Sequence, residues 1–170
     1  SVVNIKNFQV EKVLKAGKRP FAVALSPDNN FLYVANVKSN DVSVFDTKNY
    51  KKITTIKVGK SPYAITFLQD GSKAFVTNQH ENTISIIDTL NKKNIKTLEI
   101  GEYPEGINFY IKTKEVLIVN WFDSEVVVLN SMNLNIKKRI TVGEGPRGFG
   151  NFIGPNLTKN WNIVYKNNCG

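Results

Sequence analysis

The chain has 170 residues, enough for one domain with a real core, and 41% of them are apolar, with ten Phe, six Tyr and two Trp; a globular fold is expected rather than a disordered chain. A single cysteine, Cys169, and a single histidine, His80, exclude an internal disulfide and any zinc or haem site drawing two such ligands from this chain. The formal charge of +9 permits an anionic partner without establishing one. No apolar run approaches the ~20 residues of a membrane helix, and no signal peptide is legible.

In chain order, the opening "SVVN" and the lysine-bearing stretch to Ala16 read as two short strands. From Gly17 the chain repeats itself. Gly-x-x-Pro stands at Gly17/Pro20, Gly59/Pro62, Gly101/Pro104 and Gly143/Pro146, a constant step of 42 residues (59 − 17, 101 − 59, 143 − 101). Asn36, Asn78 and Asn120 keep the same register, as do Val42, Ile84 and Val126, and Asp46, Asp88 and Asn130. The first copy contains four strand signals, "FAVALS", "FLYVAN", "DVSVFD" and "KKITTIKV", separated by "PDNN", "VKSN" and "TKNY". β-branched and aromatic runs bounded by Gly, Pro, Asn and Asp are strand-and-turn chemistry, and no stretch sustains a 3.6-residue apolar period.

Four antiparallel strands per ~40–45 residues is the spacing of a β-propeller blade, in which each sheet hides its faces against its neighbours. The expected fold is all-β: a half-blade over 1–16 matching the outer strands, blades over 17–58, 59–100 and 101–142, an inner strand over 143–154 and a tail over 155–170. The third copy departs from the pattern. "FYIKTKEVLIVN" lacks the Pro-Asp-Gly type of turn, and "LN" replaces Ile-Asp.

The phrases "LYVAN", "AFVTN", "SPDNN" and "VSVFDT", with "VG" closing the repeat, resemble YVTN-family β-propeller repeats over about residues 1–154. The resemblance implies a ring of about seven blades, so the preferred expectation is the C-terminal part of a longer propeller. The alternative is a closed four-blade ring in which Ser1–Ala16 pairs with the C-terminal strands and removes the open edges. The resemblance also implies a periplasmic, cell-surface or secreted location.

Family geometry gathers the Gly-x-x-Pro links and the loops between second and third strands on one face around the central channel. That face carries Lys18, Arg19, Lys60, Tyr103, Glu105 and Arg147 from the links. From the loops it carries Asn36, Lys38, Asn78, His80, Asn120, Trp121, Phe122 and Asp123. The candidate ligand or partner residues are Arg19, His80, Tyr103, Glu105, Trp121, Phe122 and Arg147. Trp121 and Phe122 stand out because "NWFDSE" puts two large aromatics where the other copies have "NVKSND" and "NQHENT"; the pair reads as a contact patch or, in the case of Trp121, as packing between blades. His80 reads as a solvated loop residue, and the recurring Asn and Asp as turn formers.

No catalytic set, metal spacing or resident cofactor is legible. The expected function is therefore a non-enzymatic binding or scaffold propeller, with an unknown protein or small ligand at the channel face. Two alternatives stay open. One is a cofactor-associated oxidoreductase-type or lactonase-like propeller whose active residues lie in further blades. The other is a nucleic-acid or anionic-polymer binder using the cations of the third-to-fourth strand turns and fourth strands: Lys12 and Lys15, then Lys48, Lys51, Lys52 and Lys57, then Lys92, Lys93 and Lys96, then Lys137, Lys138 and Arg139. Protection of open sheet edges accounts for those lysines more simply.

Overall fold

The structure, a computed structural model, describes residues 1–148. Of the inner strand expected over 143–154, residues 143–148 are described and make no strand, and 149–154 lie outside the described residues. The tail 155–170 with Cys169, and any ring-closing pairing, lie wholly outside them.

Each repeat folds as a four-stranded antiparallel sheet with its strands in sequence order. The first comprises β3 (Pro20–Leu25), β4 (Phe31–Asn36), β5 (Asp41–Asp46) and β6 (Lys52–Lys57). The second comprises β7 (Pro62–Phe67), β8 (Lys73–Asn78), β9 (Thr83–Asp88) and β10 (Lys93–Glu99). The third comprises β11 (Pro104–Tyr110), β12 (Glu115–Asn120), β13 (Glu125–Asn130) and β14 (Ile136–Thr141). A two-stranded sheet, β1 (Val2–Val3) with β2 (Val10–Lys12), precedes them. Among the described residues the helical content is one 3-10 turn, Gln79–Glu81, and no helix is long and apolar enough to cross a membrane.

The middle strands are buried on both faces, so they read as near-continuous apolar runs rather than a one-sided alternation. Two cores lie between successive sheets. Tyr33, Val42, Val44 and Ile56 of the first sheet meet Phe67, Ala74, Val76 and Ile87 of the second. Phe75, Ile84 and Ile86 then meet Ile107, Val116, Ile118, Val127 and Leu129 of the third. At the near end of the stack Phe21, Val23 and Leu25 of β3 remain exposed. The outer strands β6, β10 and β14 carry the lysines at open edges, where charge discourages strand addition. Several of these cations are also paired, Lys57 with Asp41 at 3.6 Å, Lys137 with Glu115 and Arg139 with Glu125.

The recurring acids and amides at the ends of the third strands form turns. Asp46 accepts from the N–H groups of Lys48 and Asn49, Asp88 from that of Asn91, and Asn130 from those of Met132 and Asn133. The irregular third copy closes its first hairpin with Lys114 in the left-handed region, and the Ser131 N–H bonds the Lys114 carbonyl at 3.1 Å.

Tyr33 interrupts this regularity. Its hydroxyl is buried with no hydrogen-bond partner among the described residues, and the equivalent residue one repeat on is Phe75. Burial, with the charges of Asp28 and Asp88 behind it, pushes its pKa up to about 12. Tyr33→Phe removes an orphaned buried hydroxyl and is expected to stabilise the fold by about 1 kcal/mol at pH 7. The gain widens in alkali. An unfolded tyrosine ionises near pH 10 while the folded one stays neutral, so the wild type loses up to about 3 kcal/mol as pH rises from 10 towards 12. Urea titrations of both proteins across that range check the sign; equal pH slopes contradict it.

Candidate functional site

The inner strands β3, β7 and β11 stand side by side around the axis, and each begins at the proline of a Gly-x-x-Pro link. Directly after each proline the ladder slips, between Pro20 and Ala22, Pro62 and Ile65, and Pro104 and Ile107. A bulge re-aims side chains, and here it frees Phe21, Tyr63 and Glu105 from the strand alternation. These three, with Arg147 at the same repeat position, follow one another across the channel face. Phe21 and Tyr63 have ring centroids 4.2 Å apart, and Arg147 Nε lies 3.8 Å from Glu105 Oε2.

The links are locked to the loops by three devices in the same register. The buried amides of Asn36, Asn78 and Asn120 bridge the second and third strands. Asn36 donates to Asp41 and Ser43 and accepts from the Gly17 N–H; Asn78 donates to Thr83 and Ser85; Asn120 donates to Glu125 and to the Ile100 carbonyl. Three residues further on, Ser39, Glu81 and Asp123 accept from the N–H groups of Lys18, Lys60 and Glu102. Then Asn40 and Asn82, both in the left-handed region, reach the next link and accept from the Ser61 and Tyr103 N–H groups at 3.0 and 3.1 Å. Arg19, Ser61, Tyr103 and Gly145, each just before its proline, also have φ between 54° and 61°. The face is therefore preorganised.

Six of the seven candidate residues line one cleft of about 270 Å³: Arg19, His80, Tyr103, Glu105, Trp121 and Arg147. Phe122 sits at its rim, exposed, 4.8 Å from Tyr103 and stacked on Trp121 at 5.1 Å. Tyr103 is the hub of the rings, meeting His80 edge-on at 5.4 Å and Trp121 at 5.3 Å. Trp121 has two sets of neighbours. It lines the cleft, and it packs on the following link, where a Cβ on Gly145 would stand 2.8 Å from its Nε1. The guanidinium of Arg147 covers its ring at 4.1 Å.

Glu105 is 2% exposed. Gln79 Nε2 donates to its Oε1 at 3.0 Å, while Oε2 has no hydrogen bond among the described residues. Burial raises its pKa; Arg147 and Gln79 offset only part of that. Burial also raises the pKa of Tyr63, helped by the charge of Glu105. The backbone at Glu105 is fixed by Thr77, whose hydroxyl accepts from the Ala64 N–H and donates to the Glu105 carbonyl at 2.9 Å. His80 Nδ1 bonds Ser61 Oγ at 2.6 Å, whereas the neighbouring Glu81 is occupied by the Lys60 N–H, so the sequence neighbours His80 and Glu81 do not act as a pair. Sequence reading missed Phe21, Tyr63, Gln79 and Ser61; the recurring position after each proline was the signal that would have found the first two.

A larger cleft of about 630 Å³ opens between the first two sheets at their other end, beside Asp28, Tyr33, Asp70 and Lys92. Asp28 and Asp70 are held there in turn hydrogen bonds. Among the described residues it gathers neither a cluster of stacked rings nor an ion pair on a buried carboxylate, so the smaller channel-face cleft is the stronger candidate.

Four-stranded antiparallel blades set side by side around an axis by their inner strands, with links and loops interlocked at one end, define a β-propeller. The chain belongs to the YNCE-like beta-propeller family, whose profile matches residues 1–153. Among curated proteins none matches it in sequence. Among solved structures it is similar to hydrazine synthase of Kuenenia stuttgartiensis, with a TM-score of 0.74 and 24% identity over 82% of this chain and 40% of that one. It is also similar to the dihydro-heme d1 dehydrogenase NirN (0.70, 15% identity, 84% of this chain and 32% of that one). A third likeness is to the WD40 repeats of RRP9 (0.70, 14% identity, 76% and 41%). At these identities the likeness is one of fold, and the chain spans well under half the length of each.

Proposed function

We propose that the chain is the binding part of a non-enzymatic propeller, with residues 17–58, 59–100 and 101–142 as its blades and the channel face as the docking site for a protein segment or small ligand. The observation that carries this reading is the ring cluster of His80, Tyr103, Trp121 and Phe122, held on locked loops with Phe122 61% exposed. Rigid, exposed aromatics beside an arginine are the residue types on which binding energy concentrates. The WD40 repeats among the structural neighbours belong to the same kind of scaffold, and the resemblance to YVTN repeats supports a place outside the cytoplasm. A secretion signal in the upstream reading frame is the check on location.

The check on binding is selection of peptides from a displayed random library. Phe122→Ala and Tyr103→Ala are each expected to weaken the recovered binders by about tenfold or more with an unchanged melting temperature for Phe122→Ala. Binders that retain full affinity for both variants place the docking site elsewhere.

A further inference from the structure

The ion pair in the cleft indicates what kind of ligand it takes. Arg147 is half-exposed and fastened on two sides. Its Nε edge faces the buried Glu105, and one face of its guanidinium lies on Trp121. A guanidinium is a planar fork of five N–H donors, so a partner at Nε leaves the outer pair of nitrogens as the open edge. Among the described residues no acceptor takes a hydrogen bond from them. Arg19 lines the same cleft, its carbonyl pinned by the Val37 N–H at 3.0 Å. Glu105 is the one carboxylate lining the cleft among the described residues, and it already faces Arg147. The cleft therefore has one cation in excess, within a chain of net charge +9. The remaining walls are rings: Phe21, Tyr63, His80, Tyr103 and Trp121.

We propose that this cleft binds a small aromatic carboxylate. The carboxylate accepts two parallel hydrogen bonds from the open fork of Arg147, the geometry in which arginine exceeds lysine. Arg19 supplies a second charge, and the ligand ring packs against the aromatic wall around Tyr103. Glu105 is a positioning residue: it holds Arg147 by the Nε edge so that the fork points outward. The proposal rests on the channel-face binding reading and adds the charge and shape of the ligand. The volume of about 270 Å³ suits a ligand of one or two rings.

The test uses three planar probes of one shape and different charge: benzoate, benzamide and benzamidine. The chain has two tryptophans, Trp121 and Trp161, so a Trp161→Phe background makes Trp121 the reporter. Benzoate is expected to change its emission saturably, with a Kd on the order of 1 mM at low salt that weakens as salt rises. Benzamide is expected to bind about tenfold more weakly and benzamidine not at all. Arg147→Gln should cost benzoate about tenfold and benzamide clearly less, and Arg147→Lys should recover only part of the loss. Glu105→Gln should weaken benzoate less than Arg147→Gln does, without altering benzamide.

Tighter binding of benzamidine than of benzoate overturns the proposal, because Glu105 would then be the recognition group. Unchanged benzoate binding in Arg147→Gln overturns it as well. Equal binding of benzoate and benzamide, with both lost in Phe122→Ala, sinks the charge selectivity while leaving the channel-face binding reading in place. Silence from all three probes up to their solubility limits removes the aromatic-carboxylate proposal, and the peptide selection then decides the broader reading separately.

Discussion

Gly101→Ala is expected to destabilise the chain by about 3–5 kcal/mol, a large fraction of the 5–15 kcal/mol available to a typical domain. Two effects add. Gly101 has φ +129°, a conformation that a residue with a side chain rarely adopts, and a Cβ there would lie 2.1 Å from Asn120 Nδ2 and 2.5 Å from Asp123 Oδ2. Neither atom is free to retreat. Asn120 is buried and donates to the Ile100 carbonyl and to Glu125, and Asp123 accepts from the Glu102 N–H. The glycine of Gly-x-x-Pro is therefore the vacancy into which the recurring asparagine fits. Gly17 and Gly59 show the same conflict with Asn36 and Asn78, at 2.7 and 2.6 Å.

Gly143 is the internal control. It holds the same repeat position, yet a Cβ there meets nothing within 4 Å among the described residues, so Gly143→Ala is expected to change stability by less than about 0.5 kcal/mol. Combining Gly101→Ala with Asn120→Ala should cost at least about 1 kcal/mol less than the sum of the two, because the second change removes the atom the first collides with. Urea unfolding midpoints for the wild type and the four variants decide it. Equal effects at Gly101 and Gly143 would show that the motif serves only the backbone turn.

The coupling between glycine and asparagine was legible only in part. The 42-residue register put both residues in view, and alternation with turn residues located the hairpins, because those signals are local and repeated. The sequence marks the asparagine only as a turn former. It does meet backbone, at the Gly17 N–H and the Ile100 carbonyl, but its main partners are side chains on the third strand. The latch from Asn40 and Asn82 to the next link was not legible. It depends on left-handed backbone at both ends, at Asn40 and Ser61 and at Asn82 and Tyr103, and on a reach of 21 residues. Glu105 was placed on the right face. Its burial, its pairing with Arg147 and its contact with Gln79 follow from the bulge after Pro104, which breaks the period-two rule used to assign faces. The site is hardest to read where the chain departs from strand geometry, and there its ionic chemistry is assembled.

That departure is most exposed to test at Gly106, the residue after Glu105. The equivalent residues one and two repeats earlier are Ala64 and Ala22. A Cβ on Gly106 would stand 2.5 Å from the Gly148 carbonyl oxygen and 2.8 Å from its Cα, all backbone. In Gly106→Ala one side must yield. β11 is paired with β12 on both sides of the bulge, at Pro104 and from Ile107 to Tyr110, and is buried over Pro104–Asn108; the segment 146–148 makes no ladder pairing among the described residues. The segment is therefore expected to move, carrying Arg147 off Trp121 and away from Glu105. Three results follow. Trp121 becomes more accessible to a quencher such as acrylamide, benzoate binding falls about tenfold, as in Arg147→Gln, and stability at pH 7 drops by about 2–3 kcal/mol, since Glu105 is left as a buried carboxylate without its counter-ion. The pH dependence separates this from simple overpacking. Glu105 already has a raised folded pKa, and losing Arg147 raises it further. A group so shifted favours the fold when protonated, and that advantage is lost as pH rises through its folded pKa. The stability deficit of Gly106→Ala relative to wild type is therefore expected to shrink as pH falls towards 4.5. A deficit that stays constant with pH, alongside unaltered Trp121 quenching, would mean that Arg147 keeps its seat and that β11 absorbs the methyl group instead.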